Sequence, residues 1–356
     1  MSHASVSTSG KRRGELHGAR LPKWFPWAAA AGSVALGLGI SAVAGLESNI
    51  QWGLIAAALF VLGTYVIAAR VEGSRQAKDR VATSVIWVAF IIAVIPLASL
   101  VYETVKRGVK VLDGYFLTHS MGLVSDTEPG GGIYHAMLGT LQQVGLATLI
   151  SVPIGVLTAI YLVEYGRGKL AKAVTFFVDV MTGIPSIVAG LFILSLWIII
   201  LDMGYSGFAG SMALTILMLP VVVRSTEEML KLVPNELREA SLALGVPKWR
   251  TILKVVVPTS IGGITTGVML AIARIAGETA PVLLLVWVTN FINTNPFSDP
   301  QGSLPVYIYL QFANSGGSGA AYDRAWAAAL TLIAFIMILN LAARGIARWK
   351  APKTGR

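Results

Sequence analysis

The chain has no cysteine, which excludes disulfides and thiolate metal sites. It is also poor in charge: Asp, Glu, Lys and Arg make up only 13% of its 356 residues, against 55% apolar residues. Soluble domains carry about a quarter of their residues charged, so this composition excludes a soluble globular protein and leaves a polytopic membrane protein. The four histidines are scattered, without zinc-like spacing. A P-loop is missing too. Gly166-Arg-Gly168-Lys169-Leu170 lacks both the upstream glycine spacing and the Ser or Thr that such a loop needs to hold phosphate and magnesium.

What the chain has is membrane-length apolar sequence. Uncharged runs of about 20 residues, enough to cross a bilayer, lie near 27–46, 50–69, 81–102, 133–163, 180–201, 203–223, 255–273 continuing to about 290, and 325–343. Eight membrane helices are expected. The net charge of +10 follows their topology. With a cytoplasmic N-terminus, all but five of the 28 Lys and Arg fall in the inside segments 1–25, 70–80, 163–172, 224–254 and 344–356. Lys106, Arg107, Lys110 and Arg324 fall outside, and Arg274 lies within a helix. The positive-inside rule then places both termini in the cytoplasm, and the basic excess is topological, not a nucleic-acid footprint. Residues 1–25 read as a disordered basic tail, and 346–356 as a second basic tail. The first apolar run ends near Ala42-Val43-Ala44, which has the form of a signal-peptidase site. That run is longer than a signal core, and Glu47 and a second helix follow at once, so an uncleaved first helix is expected.

Two stretches interrupt the apolar pattern. Between spans, residues 224–258 read as a helix, a tight turn and a second helix: either a solvated loop or a knob that needs a partner. Pro234 suits the first helical position, Gly245 can take the left-handed conformation that ends a helix at Leu244, and Pro247 opens the next helix. Lys248, Arg250 and Lys254 are expected to face water, while Trp249, Ile252 and Leu253 can pack. The second stretch, Gly183-Ile-Pro185-Ser186, interrupts the fifth span, as a plain kink or as a bend lining a pathway.

Arg274 and Glu278 stand in the middle of the seventh span. Each would cost at least ~2.5–3.5 kcal/mol at the bilayer centre if it faced lipid. They must meet protein or water. On a continuous helix, residues four apart share a side, and Gly263, Gly267, Ala271, Gly277 and Pro281 fall near the same stripe. Small residues there admit another helix, with the two charges as an ionic centre. The pair is either a packing device or a functional one. A buried guanidinium stays protonated and donates in a planar fork, which suits an oxyanion. A carboxylate beside it could accept a hydrogen bond from a protonated anion such as phosphate.

Motifs in these stretches resemble one family. Glu239-Ala240-Ser241, then three residues, Gly245, nine residues and Val255-x-Val257-Pro258 resembles the Glu-Ala-Ala loop of the membrane subunits of bacterial ABC importers. Ser241 replaces the second alanine, and Val255 and Val257 stand where Ile and Leu are usual. The run from Ala271 to Pro281 closely resembles the A-type permease subunits of phosphate ABC transporters; Ala280-Pro281 favours them over C-type subunits, which usually have Met there. Gly183-Ile-Pro-Ser-Ile-Val and the Gly130 to Leu141 opening of the fourth span agree, so the resemblance covers about 81–345.

The resemblance implies an all-α protein in which a six-helix type I permease core at 81–345 follows an extra transmembrane hairpin at 26–80. It implies that Glu239, Ala240, Gly245 and Pro258 serve a coupling helix seated in an ATPase, and that Arg274 and Glu278 line a phosphate pathway near Gly183, Pro185 and Ser186. The chain would then be no enzyme itself and bind no cofactor, ATP and magnesium belonging to two partner ATPase subunits. A C-type permease, an external phosphate-binding protein and membrane lipids complete the expected partners. The alternatives are an importer of another oxyanion, such as sulfate or molybdate, and a secondary transporter, which would show internal repeats and more midplane charges. An intramembrane enzyme is disfavoured because His119 and His135 lack a partner motif.

Overall fold

A computed structural model describes residues 20–350 except 47 and 318. The expected tails at 1–25 and 346–356 therefore lie outside the described residues as far as 19 and beyond 350. Fourteen α-helices are described: α1 Phe25–Val43, α2 Asn49–Val71, α3 Ser74–Gly108, α4 Gly114–Thr118, α5 Tyr134–Ile160, α6 Gly168–Thr182, α7 Ser186–Ile193, α8 Gly207–Lys231, α9 Asn235–Ala243, α10 Lys248–Thr251, α11 Val257–Ala276, α12 Ala280–Val286, α13 Leu304–Asn314 and α14 Gly319–Lys350. Three π-helical stretches, Tyr161–Tyr165, Leu194–Ile200 and Ile252–Val256, extend α5 and α7 and join α10 to α11. The protein is an all-α, multi-span membrane protein. Seven helices are long and apolar enough to cross a bilayer, and a bent pair, residues 168–182 with 186–200, makes an eighth span if counted as one.

The chain forms two compact units, Met1–Val101 and Tyr102–Arg356. In the first, α1 buries Phe25, Ser33, Gly37 and Ser41. Small residues at four-residue spacing let two membrane helices approach closely: a Cβ on Gly37 would lie 2.9 Å from the Ala56 Cβ of α2. Just past α2, Glu72 accepts hydrogen bonds at 2.6 Å from the Leu21 N–H and from Arg80 Nη2.

The second unit is built around α5 and α8. Gly155 admits Val222, and Ala147, Leu214, Met218, Val222, Ala271 and Ile275 form the central apolar cluster. On the α11 stripe, Gly263 and Gly267 admit Met229 and Ser225 of α8, so the predicted close helix contact is present. The connection between α12 and α14 contains α13, and the Leu304 N–H at its start donates to Thr140 Oγ1 of α5 at 2.7 Å.

Candidate functional site

The seventh span is not continuous. α11 ends at Ala276, residues 277–279 are non-helical, and α12 begins at Ala280. Pro281 supplies the cause: it has no N–H to offer the Gly277 carbonyl four residues back, and its ring crowds that carbonyl. Arg274 sits in the last turn of α11 and Glu278 in the gap. This corrects the expectation that they share one side of an unbroken helix and form an ionic centre. Arg274 is exposed and Glu278 half-buried. Among the described residues neither side chain has a hydrogen bond or an ion pair. The ion-pair reading thus has no contact to rest on.

The fifth span is broken as well, and more sharply. α6 meets the helix at 186–200 at 107°. Pro185 caps α7 with an extended backbone, φ −59° and ψ 139°, and a residue preceding proline is itself biased away from helix. The span expected at 180–201 therefore starts at Ser186, preceded by a separate α6 held to α8 by charge. Arg224 of α8 pairs with Asp179 of α6, and donates to Glu227, which also accepts from Lys231, both at 2.7 Å. Gly183 and Pro185 are exposed and Ser186 is half-buried. One turn on, buried Gly190 touches the other break: a Cβ there would stand 2.7 Å from Pro281 Cα. Close backbone approach at Gly190 packs α7, which starts at Ser186 with Pro185 as its cap, against the start of α12.

The stretch expected at 224–258 is shorter as a knob: residues 224–231 continue α8 and 257–258 open α11, which leaves 234–256. α9 ends with Leu244 as its cap, and Gly245 takes a left-handed φ of +76°. Pro234 and Pro247 are caps with extended backbone, one position ahead of the first helical residue where they were expected. Ser241 is not a neutral replacement for alanine, because its hydroxyl meets Thr251 Oγ1 at 2.9 Å and ties α9 to α10. Glu239, Ala240 and Gly245 are all exposed on the knob. Pro258 stands apart, half-buried in the first turn of α11 beyond the π-helical stretch. Of the three apolar residues expected to pack, only Ile252 is buried; Trp249 and Leu253 are more than half exposed, and Leu244 is 84% exposed. Leu244, Trp249 and Leu253 thus leave large apolar side chains exposed on the knob.

Two polar residues that sequence reasoning passed over hold this unit together. Arg324 of α14, counted only as an outside charge, is buried and donates to the carbonyls of Asp126 at 2.8 Å and Glu128 at 2.7 Å, and to Gln311 Oε1 at 2.9 Å. Glu164, in the π-helical end of α5, accepts from Arg238 of the knob at 3.0 Å. Neither has a local signal, since both partnerships join residues far apart in sequence.

Residues 151–356 match the family described as binding-protein-dependent transport system inner membrane component. The phosphate transport system permease protein PstA 1 of Mycobacterium tuberculosis (strain CDC 1551 / Oshkosh) is 50% identical over 270 residues, 76% of this chain and 88% of that protein. The phosphate transport system permease protein PstA of Pasteurella multocida (strain Pm70) is 38% identical over 275 residues, 76% of this chain and 94% of that protein. Among solved structures, an inward-facing MetNI methionine ABC transporter chain aligns with a TM-score of 0.48 at 20% identity, covering 62% of this chain and 95% of that one.

Proposed function

The chain belongs to the family of binding-protein-dependent transport system inner membrane components, and from that premise we propose that it is the A-type permease half of an ATP-driven phosphate importer. Relatives named as phosphate permeases align over most of their length. The observation that carries the residue assignment is Arg274. It is a permanent cation inside a membrane-length apolar stretch, exposed on the single chain and without a carboxylate partner among the described residues. An arginine so placed needs water, an anion or a partner subunit. Glu278, in the adjacent break, supplies an acceptor for the proton of a monohydrogen or dihydrogen oxyanion. Gly183, Pro185 and Ser186 would border the same route, because α7 packs on the start of α12.

The exposed knob supports the second half of the reading. Glu239, Ala240 and Gly245 would dock in an ATP-binding subunit, with Pro258 starting the helix that leads back into the membrane. ATP and magnesium would be held by two such subunits, a C-type permease would complete the pathway, and an external phosphate-binding protein would deliver the anion. Both termini would lie in the cytoplasm, by the distribution of Lys and Arg.

The test is ATP-dependent uptake of labelled phosphate by the complete complex in proteoliposomes, with sulfate and molybdate as competitors. Uptake that unlabelled phosphate suppresses and the other two anions leave unchanged is expected. Suppression by sulfate or molybdate at equal concentration would move the assignment to another oxyanion.

A further inference from the structure

Glu164 stands where the membrane part of the chain meets the knob. It lies in the π-helical stretch that ends α5, and its side chain is only 7% exposed. Its carboxylate accepts from Arg238 Nε of α9 at 3.0 Å, and its backbone carbonyl accepts from Lys248 Nζ of α10. The same ammonium sits 4.7 Å from the centre of the Tyr165 ring. Both helices of the knob are therefore fastened to one end of α5. Arg238 reaches further, donating to the carbonyls of Leu230 at 2.9 Å and Val233 at 2.5 Å, at the end of α8. A single guanidinium joins α5, α8 and α9.

The chain on either side of this joint is adaptable. π-Helical turns hold an extra residue per hydrogen-bonded ring and occur where a helix can change register. One such turn carries Glu164, and another, Ile252–Val256, separates α10 from α11. Along the chain, the knob joins α11 through that second turn. Into α5 it has a direct polar connection, half-buried and with hydrogen-bonded geometry on several sides, where an ionic contact is worth more than on an open surface.

We propose that Glu164 is a positioning residue that carries movement of the α9–α10 knob into α5, so that a partner acting on the knob shifts α5 through the Arg238–Glu164 contact. This rests on the reading of the chain as a subunit driven by ATP-binding partners. Glu164 itself touches neither nucleotide nor cargo.

The experiment measures phosphate uptake and ATP hydrolysis separately in proteoliposomes of the complete complex. Glu164→Gln keeps the shape and removes the charge. Uptake is expected to fall roughly tenfold while hydrolysis stays within about twofold, so the phosphate moved per ATP drops; Glu164→Asp, which keeps the charge, should recover part of that ratio. A merely structural role would lower both rates together and leave the ratio unchanged, and that result would overturn the proposal. Should Glu164→Gln fail to assemble, an unchanged ratio in Glu164→Asp overturns it and a lowered one supports it. Because the chain has no cysteine, a Glu164→Cys/Arg238→Cys protein adds a control in which a bifunctional thiol reagent restores the tie without the charge. Recovery of the ratio on cross-linking supports a mechanical connection, and no recovery contradicts it. If the wild-type complex moves no phosphate with ATP, the functional reading itself fails, which is a different result from an unchanged ratio.

Discussion

Glu72, just past α2, ties the Leu21 amide and Arg80 of α3 to one carboxylate. The hydrogen bond from Arg80 keeps its carboxyl below the ordinary carboxylate range, against the opposing effect of burial. The folded-state value is depressed, so the stabilisation is fully present above the unfolded value of 4.5 and is lost as pH falls through the lower folded value. Because Glu72 also accepts from the Leu21 amide, the protection factor of that amide against hydrogen exchange, taken relative to its intrinsic rate at each pH, should be high at neutral pH and fall well below pH 4.5. Equal protection across that range would remove the acid-sensitive tie. Residue-level chemistry of this kind was only partly legible in the sequence. Arg274 and Glu278 stood out because charge is rare in a membrane span. Arg324 and Glu164 did not, because their partners lie far away along the chain and only folding brings them together.

Breaks and close approaches decide the behaviour of the elements. The prolines that interrupt the two spans were visible in the sequence, yet the apolar runs on either side suggested continuity. Hydropathy reports that a segment is apolar, while Pro281 and Pro185 report where its backbone bonding must stop. The juxtaposition at Gly190 had no such signal, because it depends on α7 finding α12. A Cβ there meets backbone, which cannot swing aside as a side-chain end can. Gly190→Val is therefore expected to lower thermal stability in detergent by about 1–3 kcal/mol, the usual cost of overpacking. Gly262→Ala, where nothing lies within 4 Å, should be neutral or slightly stabilising. Equal melting of the two variants would contradict the close contact. The knob was more legible, since turn chemistry is local: Gly245 has the expected left-handed backbone. Its space is open, so Gly245→Val acts through φ alone, at about 1–2 kcal/mol. That variant should insert in the membrane and lose ATP-driven uptake; normal uptake at normal expression would sink the coupling role of the turn.

At the scale of the whole molecule, the apolar spans could be read from hydropathy because a bilayer imposes one length on every crossing, but of the eight expected, seven are single helices long and apolar enough, and the eighth exists only if the bent pair at 168–200 is counted as one span. What hydropathy could not supply is the 107° turn between α6 and α7, since a helix lying across a span and one crossing it have similar composition. In the proposed function, the interrupted α11–α12 helix, set against α7, would present Arg274 and Glu278 to an anion crossing the membrane. A packing pair and a pathway pair respond differently when both charges are removed. A packing pair would leave no buried charge unmatched in Arg274→Leu/Glu278→Leu, so transport would survive with the fold. The direct measurement is phosphate uptake per assembled complex for that double variant, with assembly checked by co-purification of the partner subunits. Normal assembly with uptake at the background of an ATP-free control is expected; robust ATP-dependent phosphate uptake by the double-leucine protein would contradict the pathway role.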